Sequence, residues 1–183
     1  MNGVVRTRVG YAGGTQPNPT YQSIKDHTEA IQIVYDPSVI TYEDLVDVFW
    51  TGHVPTQRAY SRQYMSLILY DNEEQKAVAE RTKQELGEQT GQFIYTEIVP
   101  LDRFYTAEGY HQKYYLQSRS GVYRSLLALY PDFDAFVDST TAARVNGYIG
   151  GYGTREQFEE DLQAMELPEG TADAVRQAAS RLQ

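Results

Sequence analysis

Three side chains near the start of the chain could do proton chemistry together: Tyr21, His27 and Glu29, within RTRVGYAGGTQPNPTYQSIKDHTE (6–29). Glu29 enters the segment TEAIQIVY, where Glu29, Ile31, Ile33 and Tyr35 alternate onto one face of a strand. A carboxylate on an apolar face is costly unless paired or protonated, and a protonated carboxyl beside phenols can act as a general acid. The other reading puts Glu29 at the strand's frayed end, in water. A second cluster, RAYSRQY (58–64), holds Tyr60 and Tyr64, which can donate into a pocket or pack half-buried. A third, AEGYHQKYY (107–115), sets His111 between Tyr110 and Tyr114, either facing a pocket or on the surface. Gly10–Gly14 has neither the strand–loop–helix context nor the lysine of a phosphate-binding loop.

Composition narrows the chemistry. The 183 residues include no cysteine, which removes disulfides, thiolate metal sites and thiol nucleophiles together. Three histidines give a metal little to draw on, and no metal site is expected. No partner base for a serine nucleophile is evident either. A net charge of −9 argues against sequence-independent nucleic-acid binding, which needs clustered Lys and Arg. No apolar run reaches membrane-spanning length and no signal peptide is recognisable, so a cytoplasmic location is expected. The 16 tyrosines are conspicuous, because tyrosine packs like an apolar residue yet keeps a donor.

The elements that must position these residues follow from pattern. Strands are expected at 4–10, Thr28–Tyr35, Tyr64–Tyr70 and Phe93–Val99. Thr41 should cap a helix, with Asp44 completing a capping box, and Asp71 or Asn72 should start another over Glu73–Leu86. Helical patterns cover Ala107–Gln117, Tyr123–Leu129 and Phe133–Tyr148; Thr154 and Thr171 should cap two more. Strands and helices thus alternate over the first two thirds, an α+β or α/β sandwich, and the last third is helical. Two units are expected, 1–117 and a helical extension, 118–183, packed on it.

The motifs VVRTRVGYAGG, PNPTY, HTE, RQYMSLILY, EQKAVAE, IYTEI and AEGYHQKYY, in that order, resemble the A-type peptide methionine sulfoxide reductases. The stretch AARVNGYIGGYG resembles the tail of longer members. This resemblance implies a ferredoxin-like α/β sandwich and reduction of the S-epimer of methionine sulfoxide, with thioredoxin as reductant and no bound cofactor. It implies Glu29 as proton donor to the sulfoxide oxygen, and Tyr21 and Tyr64 as phenols binding that oxygen. Ala59 falls where the family has an aspartate. The family's Gly-Cys-Phe-Trp-Gly segment, with its strand, helix and nucleophile, has no counterpart here. The expectation is a truncated form, inactive by the thiol mechanism; the alternative is a pseudoenzyme or binding module that holds a sulfoxide, or a sulfoxide-containing peptide, without turnover.

Overall fold

The computed structural model of the protein describes residues 1–180 and Leu182. Strand β1 (Val4–Ala12) pairs antiparallel with β2 (Thr28–Tyr35), placing Tyr11 opposite Glu29 and Val9 opposite Ile31. Helix α1 (Tyr42–Thr51) starts at the expected capping box: the Thr41 hydroxyl accepts the Asp44 N–H, and the Asp44 carboxylate accepts the Thr41 N–H. Strand β3 (Leu67–Tyr70) leads into α2 (Glu73–Thr90), which Asn72 caps and Gly91, at φ +64°, ends. Strand β4 (Glu97–Pro100) runs parallel to β3, and the short β5 (Tyr105–Thr106) returns to β1. Helices α3 (Tyr114–Gln117), α4 (Ser120–Leu127), α5 (Phe133–Val137), α6 (Thr140–Ile149), α7 (Arg155–Ala164) and α8 (Glu169–Ala178) complete the chain.

The architecture is α+β with a helical C-terminal region. Among the described residues the strands form two sheets, β2-β1-β5 and β3-β4, rather than one. Between the edge strand β2, helix α1 and strand β3 lies a cleft of about 750 Å³. Ile31, Ile33 and Tyr35 line it from β2, and Leu45 and Phe49 from α1. The face of β2 that alternation assigns to a core is therefore open, with Ile31 58% exposed.

Several elements are shorter or more broken than their patterns suggest. Tyr64 closes a 3-10 turn, Arg62–Tyr64, and β3 begins only at Leu67. The segment from Phe93 gains strand pairing only at Glu97. A 3-10 turn at Gly109–His111 and helix α3 replace one helix over 107–117, with Lys113 between them in the left-handed region at φ +51°. Asp138 and Ser139 divide the expected 133–148 helix, because the Ser139 hydroxyl accepts the Ala142 N–H and restarts it as α6. Helix α8 begins at Glu169, before Thr171, after Pro168.

The main core is helical: Leu116, Leu126, Phe136, Val145, Phe158 and Val175 are all buried in one cluster. A second, small cluster, Val46, Ile68 and Ala79, holds α1, β3 and α2 together. Side chains, not a strand, tie the helical region to β1. Along the edge that β5 leaves free, Gln112 bonds both the N–H and the C=O of Val9, at 3.0 and 2.8 Å. The Lys113 ammonium donates to the Thr7 carbonyl (2.6 Å), and the Thr140 hydroxyl to that of Val5 (2.7 Å). Arg8 adds a two-point pair with Asp138, 130 residues away. An exposed edge is thereby satisfied without offering a template for further pairing.

Lys113 is nearly buried, and desolvation brings its ammonium down to about 8, with Arg8 adding to the effect and Asp138 opposing it. Between that value and the ordinary one near 10.4, the unfolded chain holds a proton that the folded chain has lost. The contribution of Lys113 to stability therefore rises with pH through this window, by about 2 kcal/mol between about pH 8 and 10. Urea titrations across the range should show the rise, and Lys113→Met should remove it; an equal slope in both proteins would refute the assignment.

Candidate active site

The glycine-rich loop after β1 builds one wall. Gly13 has φ +79°, and a Cβ on Gly14 would meet the Asp26 carboxylate at 2.5 Å, so neither position takes a side chain. In that space Asp26 accepts the N–H groups of Thr15 and Gln16 and the Thr15 hydroxyl, which hold its carboxyl far below the usual range, the Thr15 N–H most of all. His27 is buried beneath: its Nε2 lies 2.7 Å from the Gln16 carbonyl and its Nδ1 accepts the Gly14 N–H at 3.2 Å. Both ring nitrogens are thus committed to the loop, and His27 positions rather than reacts. Arg62 locks the same turn from outside, donating to the carbonyls of Gly13 (2.7 Å) and Asp26 (3.2 Å). The buried Thr28 hydroxyl donates to the Arg62 carbonyl at 2.9 Å.

These clamps fix Glu29 at the start of β2 beside Tyr64. One amide bridges the two: Gln63 Nε2 donates to Glu29 Oε1 at 2.7 Å and to the Tyr64 phenol at 3.1 Å. Hydrogen bonding with the Tyr21 phenol comes first among the causes that push Tyr64 up to about 12; desolvation and the charge of Glu29 add to it. Glu29 and Tyr64 are thus neighbours across one amide, Tyr21 lines a pocket with Glu29, and all three are solvent-accessible. Glu29 belongs to both the cleft and a smaller pocket of about 310 Å³, whose lining includes Tyr21, His111 and Tyr114.

Sequence pattern offered no reason to single out Glu108, yet its carboxylate accepts the phenol of the buried Tyr11 at 2.6 Å and the Tyr21 N–H at 3.0 Å. The Tyr11 bond, above all, holds Glu108 below its ordinary value; burial and the same bond drive Tyr11 up. Glu108 thus fastens the loop that carries Tyr21. The His111 ring leans on Tyr21 at 4.6 Å and on Tyr110 at 4.2 Å, and its Nε2 is buried with no partner among the described residues. Gln63 was also missed: an amide between two acceptors leaves no trace in periodicity.

A serine–histidine contact does exist. Ser66 Oγ lies 2.7 Å from His53 Nε2, whose Nδ1 is 2.8 Å from the Phe49 carbonyl. The same Oγ is 2.6 Å from the buried Thr96 hydroxyl, so this chain of bonds fastens the end of α1 to β3 and the start of β4. Tyr60 is 87% exposed, its ring tilted against that of Tyr64 with centroids 5.4 Å apart. Ala59 brings no carboxylate to the site.

A family profile described as peptide methionine sulfoxide reductase matches residues 1–145. The chain belongs to the peptide methionine sulfoxide reductase family. A second profile, the helical domain of selenoprotein methionine sulfoxide reductase A, matches residues 134–177. The reductase of Drosophila melanogaster is 46% identical over 167 residues, 90% of this chain and 67% of its own length. MsrA of Methanosarcina acetivorans is 46% identical over 127 residues, 63% of this chain and 67% of its own. Among solved structures, reduced Mxr1 of Saccharomyces cerevisiae aligns with a TM-score of 0.59 at 30% identity, covering 64% of this chain and 72% of that one. Methionine sulfoxide reductase A of Corynebacterium diphtheriae aligns at 0.54 and 34% identity, covering 63% and 64%. The chain thus spans about two thirds of the length of the reductases it matches. No helix among the described residues is long and apolar enough to cross a membrane.

Proposed function

We propose that this chain forms the oxygen-binding side of a methionine sulfoxide reductase site, with residues 118–183 as its helical extension. Glu29 gives a proton to the sulfoxide oxygen, and Tyr21 and Tyr64 hold that oxygen as charge builds on it. The observation that carries this reading is the single Gln63 amide joining Glu29 to Tyr64, with Tyr21 lining a pocket together with Glu29. Turnover needs a nucleophile that attacks the sulfoxide sulfur and takes up the oxygen, becoming oxidised by two electrons as the thioether forms. With no cysteine in the 183 residues, that group is a thiolate, or by likeness to the selenoprotein helical profile a selenolate, supplied from outside them. The open apolar face of β2 favours an additional segment against the cleft. By itself the chain binds a sulfoxide without reducing it.

Two measurements test this. Calorimetric titration with N-acetyl-methionine-S-sulfoxide methylamide should detect binding that weakens about five- to tenfold in Glu29→Gln and in Tyr64→Phe. Unchanged affinity in both variants would remove the assignment. With dithiothreitol as reductant the chain should reduce no sulfoxide above a protein-free blank, and turnover would show that another group replaces the thiolate.

A further inference from the structure

Beyond the pocket, aromatic rings continue toward the helical region. Tyr114 lines the pocket and meets Tyr115 at 5.9 Å; Tyr115 meets Tyr152 at 6.2 Å. Tyr114 and Tyr152 are 68% and 64% exposed, a costly placement for large rings unless something covers them. Tyr152 is held there by its loop. Gly151 and Gly153 flank it at φ +88° and +93°, and a Cβ on Gly150 would lie 2.8 Å from the Tyr115 ring and 3.0 Å from that of Tyr152. Three glycines thus serve to set one exposed ring against another.

We propose that the surface from Tyr114 over Tyr115 to Tyr152 binds the extended polypeptide that carries the sulfoxide. This rests on the sulfoxide site proposed above and extends it into the helical region. The surface is continuous with the pocket that includes Tyr21 and Glu29, so a chain whose side group enters the pocket must leave along a neighbouring surface. Ring spacings of 5.9 and 6.2 Å approach the roughly 6.8 Å repeat of alternate residues in an extended chain. Tyrosine suits the task, giving rigid contact area and a phenol for backbone groups. A row one ring wide fits a single strand better than a folded partner, which covers about 800 Å² per side.

The test uses the full chain and two probes: N-acetyl-methionine-S-sulfoxide methylamide, and a Gly/Ser-rich decapeptide with one central methionine S-sulfoxide. The decapeptide should bind about tenfold more tightly. Tyr152→Ala should abolish most of that advantage without changing affinity for the small probe, whereas Glu29→Gln should weaken both. Equal affinity for the two probes, or an unchanged decapeptide affinity in Tyr152→Ala, would overturn the proposal while leaving a Glu29 effect to support the sulfoxide site. A Tyr152→Ala effect with both Glu29→Gln and Tyr64→Phe silent would keep the peptide surface and remove the sulfoxide site. No binding of either probe would overturn both. Light scattering on the same samples covers the remaining occupant: a dimer that Tyr152→Ala converts to monomer would make this surface a self-interface and refute peptide binding.

Discussion

Phe136→Ala will cost about 3–5 kcal/mol, a large share of what a domain of this size has to lose. The ring is fully buried and is met by Tyr123 at 5.6 Å, Tyr130 at 5.8 Å and Phe133 at 6.1 Å. Truncation removes its transfer energy, leaves a cavity and deprives three aromatic neighbours of their partner. The effect should also reach β1, because α5 ends directly before Asp138, the residue that pairs with Arg8. Urea unfolding would show a lower midpoint at nearly unchanged slope. A loss below about 1 kcal/mol would mean that the helices collapse around the gap and that Phe136 is not central to them.

Gln112→Ala comes next, at about 2–4 kcal/mol. The side chain is 2% exposed and makes three bonds, to the N–H and C=O of Val9 and to the C=O of Ala107. The Val9 carbonyl would keep the Ala107 N–H, but the Val9 N–H and the Ala107 carbonyl would lose the partner that Gln112 gives them. Stranding such groups costs about 1–3 kcal/mol each. Gln112→Glu should be comparably harmful, since a carboxylate cannot donate to a carbonyl. Because Glu108 and His111 sit just before Gln112, amide chemical shifts of Tyr21 should move in the same variant. A stable variant with an undisturbed Tyr21 would show that β1 holds this segment by other means.

Local chemistry was legible in the sequence, and distant chemistry was not. The Thr41–Asp44 capping box involves residues three apart and could be read directly. Lys113 could not, because its periodic surroundings suit a helix while its ammonium is occupied by a carbonyl 106 residues earlier. In the candidate site, periodicity marked Glu29 as one candidate on the face of a strand, while the roles of Tyr21, Glu29 and Tyr64 came from family resemblance; periodicity read Tyr64 as the first residue of a strand. Glu108 was passed over because its partners, Tyr11 and Tyr21, become its neighbours only when β1 and the turn at Gly109–His111 are folded together.

The two hydrophobic clusters are unequal, and they will not open together. Among the described residues one joins 13 buried side chains across the helices; the other joins three, between α1, β3 and α2. Amide protons of the smaller layer should exchange through a partial opening that leaves the helices intact, while those of α4 and α6 wait for global unfolding. Glu29 stands on β2, paired with the strand that the helices grip, whereas Tyr64 stands just before β3, on the side that opens first. Mild denaturant should therefore separate Glu29 from Tyr64, and abolish the sulfoxide binding proposed for them, while the helical signal in circular dichroism is still largely present.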